Sequence, residues 1–273
     1  MTDATEFVLL DRPRPKVALL TLNRPERMNS MAFDVMVPLK AALERLSYDN
    51  SVRVVVLTGA GNGFSSGADH KSAGAVPHVA GLTRPSYGLR SMELLDDVIL
   101  AMRRLHQPVI AAVNGAAIGG GLCLALAADI RVAAAGAYFR AAGINNGLTA
   151  SELGLSYLLP RAIGASRAFE IMLTGRDVAA EEAERIGLVS RVVAQTELLD
   201  ACYDIAERIA AFSRPGTELT KRTLWSGLDA GSLEGHMQAE GLGQLYVRLL
   251  TSNFEEAVAA RAEQRPPVFT DEK

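Results

Sequence analysis

The sequence is poor in cysteine, in net charge and in aromatic residues. Its 273 residues include two cysteines, Cys123 and Cys202, which are too few for a disulfide framework and lack the spacing of a zinc site. The formal net charge is −3, so no basic excess indicates nucleic acid or an anionic membrane as a partner. Residues 1–16 contain acidic side chains and no basic flank ahead of an apolar core, which argues against a signal peptide. We therefore expect a reducing, cytoplasmic setting.

Charge is missing altogether from residues 107–128, a run long enough to span a bilayer. Within it, however, Pro108–Val113 is a short apolar run bounded by turn residues, as in a strand that is buried on both faces. Three consecutive glycines, Gly119–Gly121, would weaken a membrane helix, whereas before a soluble helix they permit close backbone approach and present free N–H groups. The run therefore predicts a buried strand, a glycine-bearing loop and a short buried helix over 122–128, without membrane insertion.

Elsewhere, hydrophobic periodicity predicts alternating strands and helices without internal repeats. We expect strands over 6–11, 16–23 and 52–57 and helices over 32–46 and 90–105. This alternation indicates right-handed βαβ units with parallel strands, that is, an α/β fold. From about residue 166 the pattern becomes helical, so the predicted division is a core over 1–165 and a helical region over 166–273.

Two segments share one design, in which a hydrophobic strand leads through a glycine-bearing loop to a helix start. They are residues 52–71 and residues 108–128. Each loop could direct a backbone N–H to a common point, and two such donors are what an anionic oxygen on a thioester or ester carbonyl needs. The alternative is that both loops are tight turns that pack a parallel sheet. The spacing alone favours neither interpretation.

Several motifs occur in the order found in one known family. They are Phe64–Lys71, Pro108–Gly115, Gly119–Gly121 through Asp129, and the shorter matches at 23–30, 173–175, 183–189 and 261–269. Together they make nearly the whole chain resemble the enoyl-CoA hydratase/isomerase, or crotonase, superfamily. The resemblance implies an α/β spiral of ββα repeats with a helical C-terminal trimerisation region, assembled as a homotrimer or homohexamer. It also implies an acyl-CoA thioester as substrate and no cofactor apart from the CoA that the substrate carries.

The resemblance also assigns residues. The backbone N–H groups of Ala68 and Gly120 would form an oxyanion hole, and the expected substrate-binding residues are Arg27, Met28, Ala68, Asp69, His70, Gly120 and Gly143. Lys71 would face the CoA phosphates or lie on the surface as a solvated lysine. We expect Asp69 to act as a structural helix-start residue rather than as a catalyst, and Asp129 to be a buried, hydrogen-bonded structural acid.

The chain departs from the family pattern at its acid and base positions. Similar hydratases use two glutamates, and Cys123 and Gly143 stand at those positions here. Glycine has no side chain, and a cysteine in an apolar helix has a raised pKa. Glu152 could take over the role, because one carboxylate suffices to move a double bond. Alternatively, Thr149–Glu152 forms a capping box ahead of a helix.

Other residues suggest rival functions. The Gly63–Gly67 stretch fits a nucleophile elbow in which Ser65 would be the nucleophile of a serine hydrolase and His236 its base. His70 is a second acid or base candidate or a solvent-facing histidine, and Tyr157 lines an acyl tunnel or belongs to the core. His106 and His236 lack ligand-spaced partners, so we expect no metal.

The preferred hypothesis is an enzyme that stabilises a thioester enolate, by double-bond isomerisation or atypical hydration, and the alternative is a non-catalytic acyl-CoA-binding protein.

Overall fold

The computed structural model describes residues 6–272 and contains one large and one small β-sheet. The strands of the large sheet are β1 (Val8–Arg14), β2 (Val17–Leu22), β3 (Val54–Gly59), β5 (Val109–Val113), β7 (Ile130–Ala134) and β10 (Arg191–Val193), which lie side by side in that order. Only the β1–β2 pair of this sheet is antiparallel. The prediction of parallel strands joined by crossovers is therefore confirmed.

The strands of the two sheets alternate along the chain. Each of the first three strands of the small sheet comes directly after a strand of the large sheet. Its members are β4 (Gly63–Ser65), β6 (Ala116–Ile118), β8 (Tyr138–Arg140) and β9 (Asp177–Ala179). The pairs β4–β6 and β6–β8 are parallel, and β8–β9 is antiparallel. Parallel neighbours end at the same edge of a sheet, so the segments that leave β4 and β6 emerge side by side.

Ten α-helices complete the described part of the chain. They are α1 (Phe33–Ser47), α2 (Arg84–Arg104), α3 (Gly120–Ala127), α4 (Leu155–Ile163), α5 (Ala165–Thr174), α6 (Ala180–Arg185), α7 (Leu198–Ala210), α8 (Arg214–Gly227), α9 (Leu233–Leu250) and α10 (Asn253–Ala262). None of them is long and apolar enough to cross a membrane. Every residue of α3 is buried, as the charge-free run predicted.

The large sheet separates two hydrophobic clusters, and alternate residues of its central strands enter each one. Val55 and Leu57 of β3 belong to the cluster that contains α1 and α3, whereas Val54 and Val56 belong to the cluster that contains α7. Every residue of β3 and of β5 is buried. A strand that is covered on both faces reads as a continuous hydrophobic run, which explains the sequence of both segments.

The structure differs from the sequence prediction at the start of α2 and in the region after residue 165. The second long helix begins at Arg84 rather than at residue 90, because Thr83 occupies the N-cap and Pro85 stands within the first two helical positions, where the missing N–H of proline has no cost. The region after residue 165 is not only helical, since it contributes β9 to the small sheet and β10 to the large sheet. The division into a core and an oligomerisation region stays a prediction.

Candidate active site

The two glycine-bearing loops, residues 66–69 and 119–121, meet at the edge where β4 and β6 end. A Cβ atom on Gly67 would lie 3.2 Å from the backbone nitrogen of Gly120 and would clash with the carbonyl oxygen of Ile118. Gly67 also has φ +79°, in the left-handed region that favours glycine. The close approach of the loops therefore depends on a residue without a side chain.

The amide of Ala68 is oriented by a bridge to a third segment. Met31 N–H donates to the Gly67 carbonyl at 2.7 Å, and Asp69 N–H donates to the Met31 carbonyl at 3.3 Å, which makes Ala68 the partner of Met31 in a parallel bridge. In extended backbone, successive N–H groups point to opposite sides, so Ala68 N–H points away from Met31.

The N–H groups of Ala68 and Gly120 remain available. Gly120 is the first residue of α3, where backbone N–H groups have no partner inside the helix. Within residues 6–272, neither amide donates a hydrogen bond to another group. Two free donors where two loops meet are the arrangement that an oxyanion hole requires. The assignment of these two residues as an oxyanion hole stays a prediction, and the local structure is compatible with it.

Glu152 lies beside these donors. Its Oε1 is 3.1 Å from the position that a Cβ atom of Gly119 would occupy, and Gly119 immediately precedes Gly120. Two consecutive left-handed residues, Leu153 at φ +45° and Gly154 at φ +80°, form the turn that follows the carboxylate. Thr149–Glu152 is not a capping box, because α4 begins only at Leu155 and its N-cap is Gly154. Glu152 does flank that helix, since its carbonyl oxygen accepts a hydrogen bond from Leu155 N–H at 2.7 Å.

The surroundings of Glu152 suit a group that exchanges protons. The residue is half-buried, and burial raises the pKa of its carboxyl above the ordinary value of 4.5, whereas the electrostatic interaction with His70 lowers that pKa. His70 itself is exposed. Proton transfer is most efficient when the pKa of the catalytic group lies near the operating pH, so a raised glutamate pKa favours acid and base work.

The two positions that carry glutamate in similar hydratases are closed here. Cys123 is fully buried, its Sγ lies 3.5 Å from the Glu152 carbonyl oxygen, and burial, assisted by the charge of Glu152, raises its thiol pKa well above 9.0. At Gly143, a Cβ atom would overlap the Thr149 carbonyl oxygen and lie 3.1 Å from Ala150 Cα. Backbone thus occupies the space that any side chain at Gly143 would need.

Asp69 is a structural hub. Burial alone would raise the pKa of its carboxyl, but hydrogen bonds to the carboxylate hold that pKa well below the usual range. The donors of these hydrogen bonds are the backbone N–H groups of Ser72 and Lys71 and the side chains of Arg27, Ser30 and Arg24. The ion pairs to Arg27 and Arg24 measure 2.5 and 3.0 Å. The prediction of a helix start at Asp69 is wrong, since the next helix begins at Arg84. Sequence reasoning named Arg27 only as a substrate-binding residue and did not include Arg24. It missed the pairing of both with Asp69, because no spacing rule connects residues so distant along the chain.

The expected CoA-binding residues surround this hub. Pro25–Arg27 forms a 3₁₀ turn, after which Met28 adopts φ 50° and remains 44% exposed. Lys71 is exposed, as a lysine facing either phosphate or water would be. None of these contacts identifies a ligand, so the CoA-binding roles remain predictions.

Asp129 lies away from these loops and is the hydrogen-bonded structural acid that the sequence predicted, but it is half-buried rather than buried. Its carboxylate accepts hydrogen bonds from the Val109 N–H at 2.7 Å and Trp225 Nε1 at 2.6 Å, and it forms an ion pair of 2.9 Å with Lys221. It therefore joins the end of α3 to β5 and α8.

The structure opposes the hydrolase alternative. Ser65 is fully buried, and its hydroxyl donates to the Asn29 carbonyl at 2.8 Å and accepts from Gly67 N–H at 3.3 Å. His236 belongs to α9, where it lies 3.5 Å from Glu240, and no described histidine bonds to Ser65. A buried hydroxyl without a base cannot serve as a nucleophile.

The remaining histidine and tyrosine candidates have local structural partners. His106 bonds to the Ser47 carbonyl at 2.8 Å, and the ring of half-buried Tyr157 lies 3.5 Å from the Arg161 guanidinium. Over residues 6–272, no group of three or more histidine, cysteine, aspartate or glutamate side chains is placed to hold a metal ion.

Comparisons with known proteins show what the chain is similar to. The family model described as enoyl-CoA hydratase/isomerase matches residues 13–272. The chain is 84% identical to a probable enoyl-CoA hydratase, EchA12, of Mycobacterium tuberculosis over 97% of this chain and 93% of that one. A crystal structure of a probable enoyl-CoA hydratase/isomerase from Mycobacterium abscessus superimposes with a TM-score of 0.95 at 72% identity, over 98% of this chain and 100% of that one. A monofunctional enoyl CoA isomerase from Mycobacterium smegmatis is 71% identical, with a TM-score of 0.74 over 86% of this chain and 99% of its own.

Proposed function

The chain belongs to the enoyl-CoA hydratase/isomerase, or crotonase, family, and from this premise we propose that it shifts the double bond of an enoyl-CoA thioester. The expectation of a crotonase-like α/β fold is confirmed by the structural neighbours. The observation that carries the proposal is the position of one partly buried carboxylate, Glu152, beside Gly119 and the free N–H of Gly120.

In the proposed reaction, the thioester oxygen accepts hydrogen bonds from the N–H groups of Ala68 and Gly120. The Glu152 carboxylate removes a proton from the α carbon of a 3-enoyl thioester, and the electron pair passes into an enolate whose oxygen these donors stabilise. The double bond then moves to the 2,3 position as Glu152 returns the same proton to the γ carbon. A donor of this kind typically contributes roughly 2.7–4 kcal/mol to the transition state.

Hydration is the less favoured reaction because it requires more groups than this site offers. In similar hydratases, two glutamates activate water and protonate the α carbon, whereas here a buried thiol and a glycine closed off by backbone stand in their places. The relative from M. smegmatis named as a monofunctional isomerase is consistent with this assignment. The name hydratase on the M. tuberculosis relative keeps atypical hydration as the second candidate.

The proposal extends to assembly and setting. Helix α9 has no buried residue, although it carries several large apolar side chains. Four of them are more than half exposed, namely Leu233, Met237, Leu242 and Leu245, so this helix requires a partner surface. A homotrimer or homohexamer would supply that surface. The reaction needs no cofactor beyond the CoA in its substrate, and we assign it to the cytoplasm.

The test is proton exchange in deuterated water. Incorporation of deuterium at the α and γ carbons of 2-enoyl-, 3-enoyl- and saturated acyl-CoAs is followed by NMR for the unmodified chain, for Glu152→Gln and for the control Glu181→Gln, which changes an exposed glutamate on α6. We expect exchange and isomerisation to fall about 10²- to 10⁴-fold in Glu152→Gln and to persist in the control.

The other outcomes assign the proton transfer to a different group or exclude catalysis. Exchange that survives in Glu152→Gln assigns the proton transfer to another group, with His70 the first candidate. No exchange with any ligand, despite measurable binding of CoA thioesters, establishes the non-catalytic binding protein and refutes the isomerase.

A further inference from the structure

A large cavity lies at the end of α3 remote from the candidate active site. It has a volume of about 720 Å³ and is lined mostly by apolar side chains of α3, α4, α7 and α8, among them Leu126, Leu158, Ile209, Leu224 and Trp225. Leu126 stands six positions after Gly120, roughly 9 Å along the helix axis. Ala68, Gly120 and Glu152 are not among the lining residues. The volume falls within the range of roughly 300–1,000 Å³ that is typical of small-molecule sites.

The charged side chains of the cavity carry an excess of positive charge. They comprise three cations, Arg131, Arg161 and Lys221, and one carboxylate, Asp129. Lys221 is paired with Asp129 at 2.9 Å, and Arg161 lies 3.7 Å from Asp229 and 3.5 Å from the centre of the Tyr157 ring. Two of the cations therefore already have partners.

Arg131 is the lining cation that forms no ion pair with a described residue. Its Nε donates to the Leu188 carbonyl at 2.7 Å and its Nη1 to the Ala128 carbonyl at 2.8 Å, but its Nη2 donates to no residue in the described part of the chain. Burial lowers the pKa of this guanidinium, although an arginine remains charged at neutral pH. A fixed guanidinium with free N–H groups at the wall of an apolar cavity is complementary to a carboxylate.

We propose that this cavity binds a long-chain fatty acid, with its hydrocarbon chain against Leu126, Leu158 and Trp225 and its carboxylate on Arg131. Charge selects this occupant, because Lys221 and Arg161 are paired with carboxylates, which leaves Arg131 as the lining cation without an ion pair to a described residue on a mostly apolar wall. The proposed catalytic reaction uses none of these residues, so the two proposals stand or fall separately.

The chain contains its own probe of occupancy. Trp225 is the only tryptophan in the sequence, it lines the cavity, and its Nε1 bonds to Asp129 at 2.6 Å. A ligand that packs on this ring changes the polarity around it, so intrinsic fluorescence reports binding without a label. We would titrate the unmodified chain with saturated fatty acids of increasing length and with alcohols of the same lengths, below their micellar concentrations.

We expect a saturable change with the acids, an affinity that rises about fourfold with each added methylene, and alcohols that bind about 10- to 100-fold more weakly than acids. Arg131→Met should reduce the affinity for the acid to that for the alcohol. The control Arg208→Met, which removes an exposed arginine of α7 outside the cavity, should leave both unchanged. Because Arg131 also bonds to two carbonyls, the comparison of acid with alcohol on the unmodified chain is the test if that variant does not fold.

Three results would overturn the proposal. Equal affinity for acid and alcohol would show that Arg131 does not select a carboxylate, and the absence of any fluorescence change would show that the cavity does not bind these chains. A fluorescence change that follows protein concentration rather than ligand, together with growth in mass by light scattering, would show that a second copy of the chain covers the cavity. Glu152→Gln must retain fatty-acid binding, which separates this site from the catalytic one.

Discussion

Replacing Gly143 tests whether backbone closes the second hydratase position. Gly143 has φ −52° and ψ −44°, a right-handed conformation that any residue adopts, so an added side chain suffers no conformational penalty. In open space, Gly→Ala in such a conformation stabilises a protein by about 0.4–1 kcal/mol. Here the new Cβ would overlap the Thr149 carbonyl oxygen and lie 3.1 Å from Ala150 Cα. Overpacking of this kind costs about 1–3 kcal/mol.

We therefore expect Gly143→Ala to lower the free energy of unfolding by about 1–3 kcal/mol, and Gly143→Glu to lower it at least as much without creating hydratase activity. Urea unfolding gives the first quantity, and loss of the conjugated thioester absorbance of a 2-enoyl-CoA gives the second. Gly136→Ala is the matched control, because nothing lies within 4 Å of a Cβ atom there. Equal stability of the two alanine variants, or hydration by Gly143→Glu, would refute the steric argument.

Two further predictions concern the charges around the site. Asp69→Asn should destabilise the fold by about 1–3 kcal/mol at pH 7, because it removes a buried carboxylate and leaves the partly exposed guanidinium groups of Arg24 and Arg27 without their partner. The pKa of Asp69 is lower in the folded than in the unfolded chain, so its contribution to the free energy of unfolding is present above pH 3.8 and is lost as the pH falls below that value. The urea midpoints of the variant and the unmodified chain should therefore converge in acid. The exposed control Asp204→Asn should have the urea midpoint of the unmodified chain at every pH. His70→Gln should raise the pKa of Glu152 and move the acid limb of the kcat/KM profile to higher pH, and an unmoved limb would contradict the electrostatic role of His70.

The sequence predicted the parts of the fold that local chemistry determines. The buried strand at 109–113, the glycine loop and the fully buried helix after it follow from one charge-free run whose turn residues divide it. The strands at 177–179 and 191–193 were missed because each has three residues and joins a sheet formed by distant parts of the chain. Segments this short carry too few residues for a period of two to be visible.

The candidate site was predictable in its backbone but not in its charges. Gly67 and Gly119–Gly121 indicate close approach because few other roles require glycine at such positions. Glu152 was identified only by comparison with a family pattern, and its orientation depends on Leu153, a left-handed leucine that no propensity predicts. The pairs of Asp69 with Arg24 and Arg27 join residues more than 40 positions apart, so they follow from the fold alone.

The bridge between Met31 and Ala68 has a consequence for how catalytic power is distributed along the chain. The direction of one proposed oxyanion donor is set by the segment that also contains the 3₁₀ turn at Pro25–Arg27, and Asp69 fastens that segment to the donor loop. In the proposed mechanism, the interactions that orient this donor therefore form when the protein folds, before substrate binds. Substitutions of Arg24 or Ser30, which take no part in the proposed chemistry, should lower kcat without unfolding the protein. A mutational scan that measured activity alone would therefore mistake these positioning residues for catalytic ones.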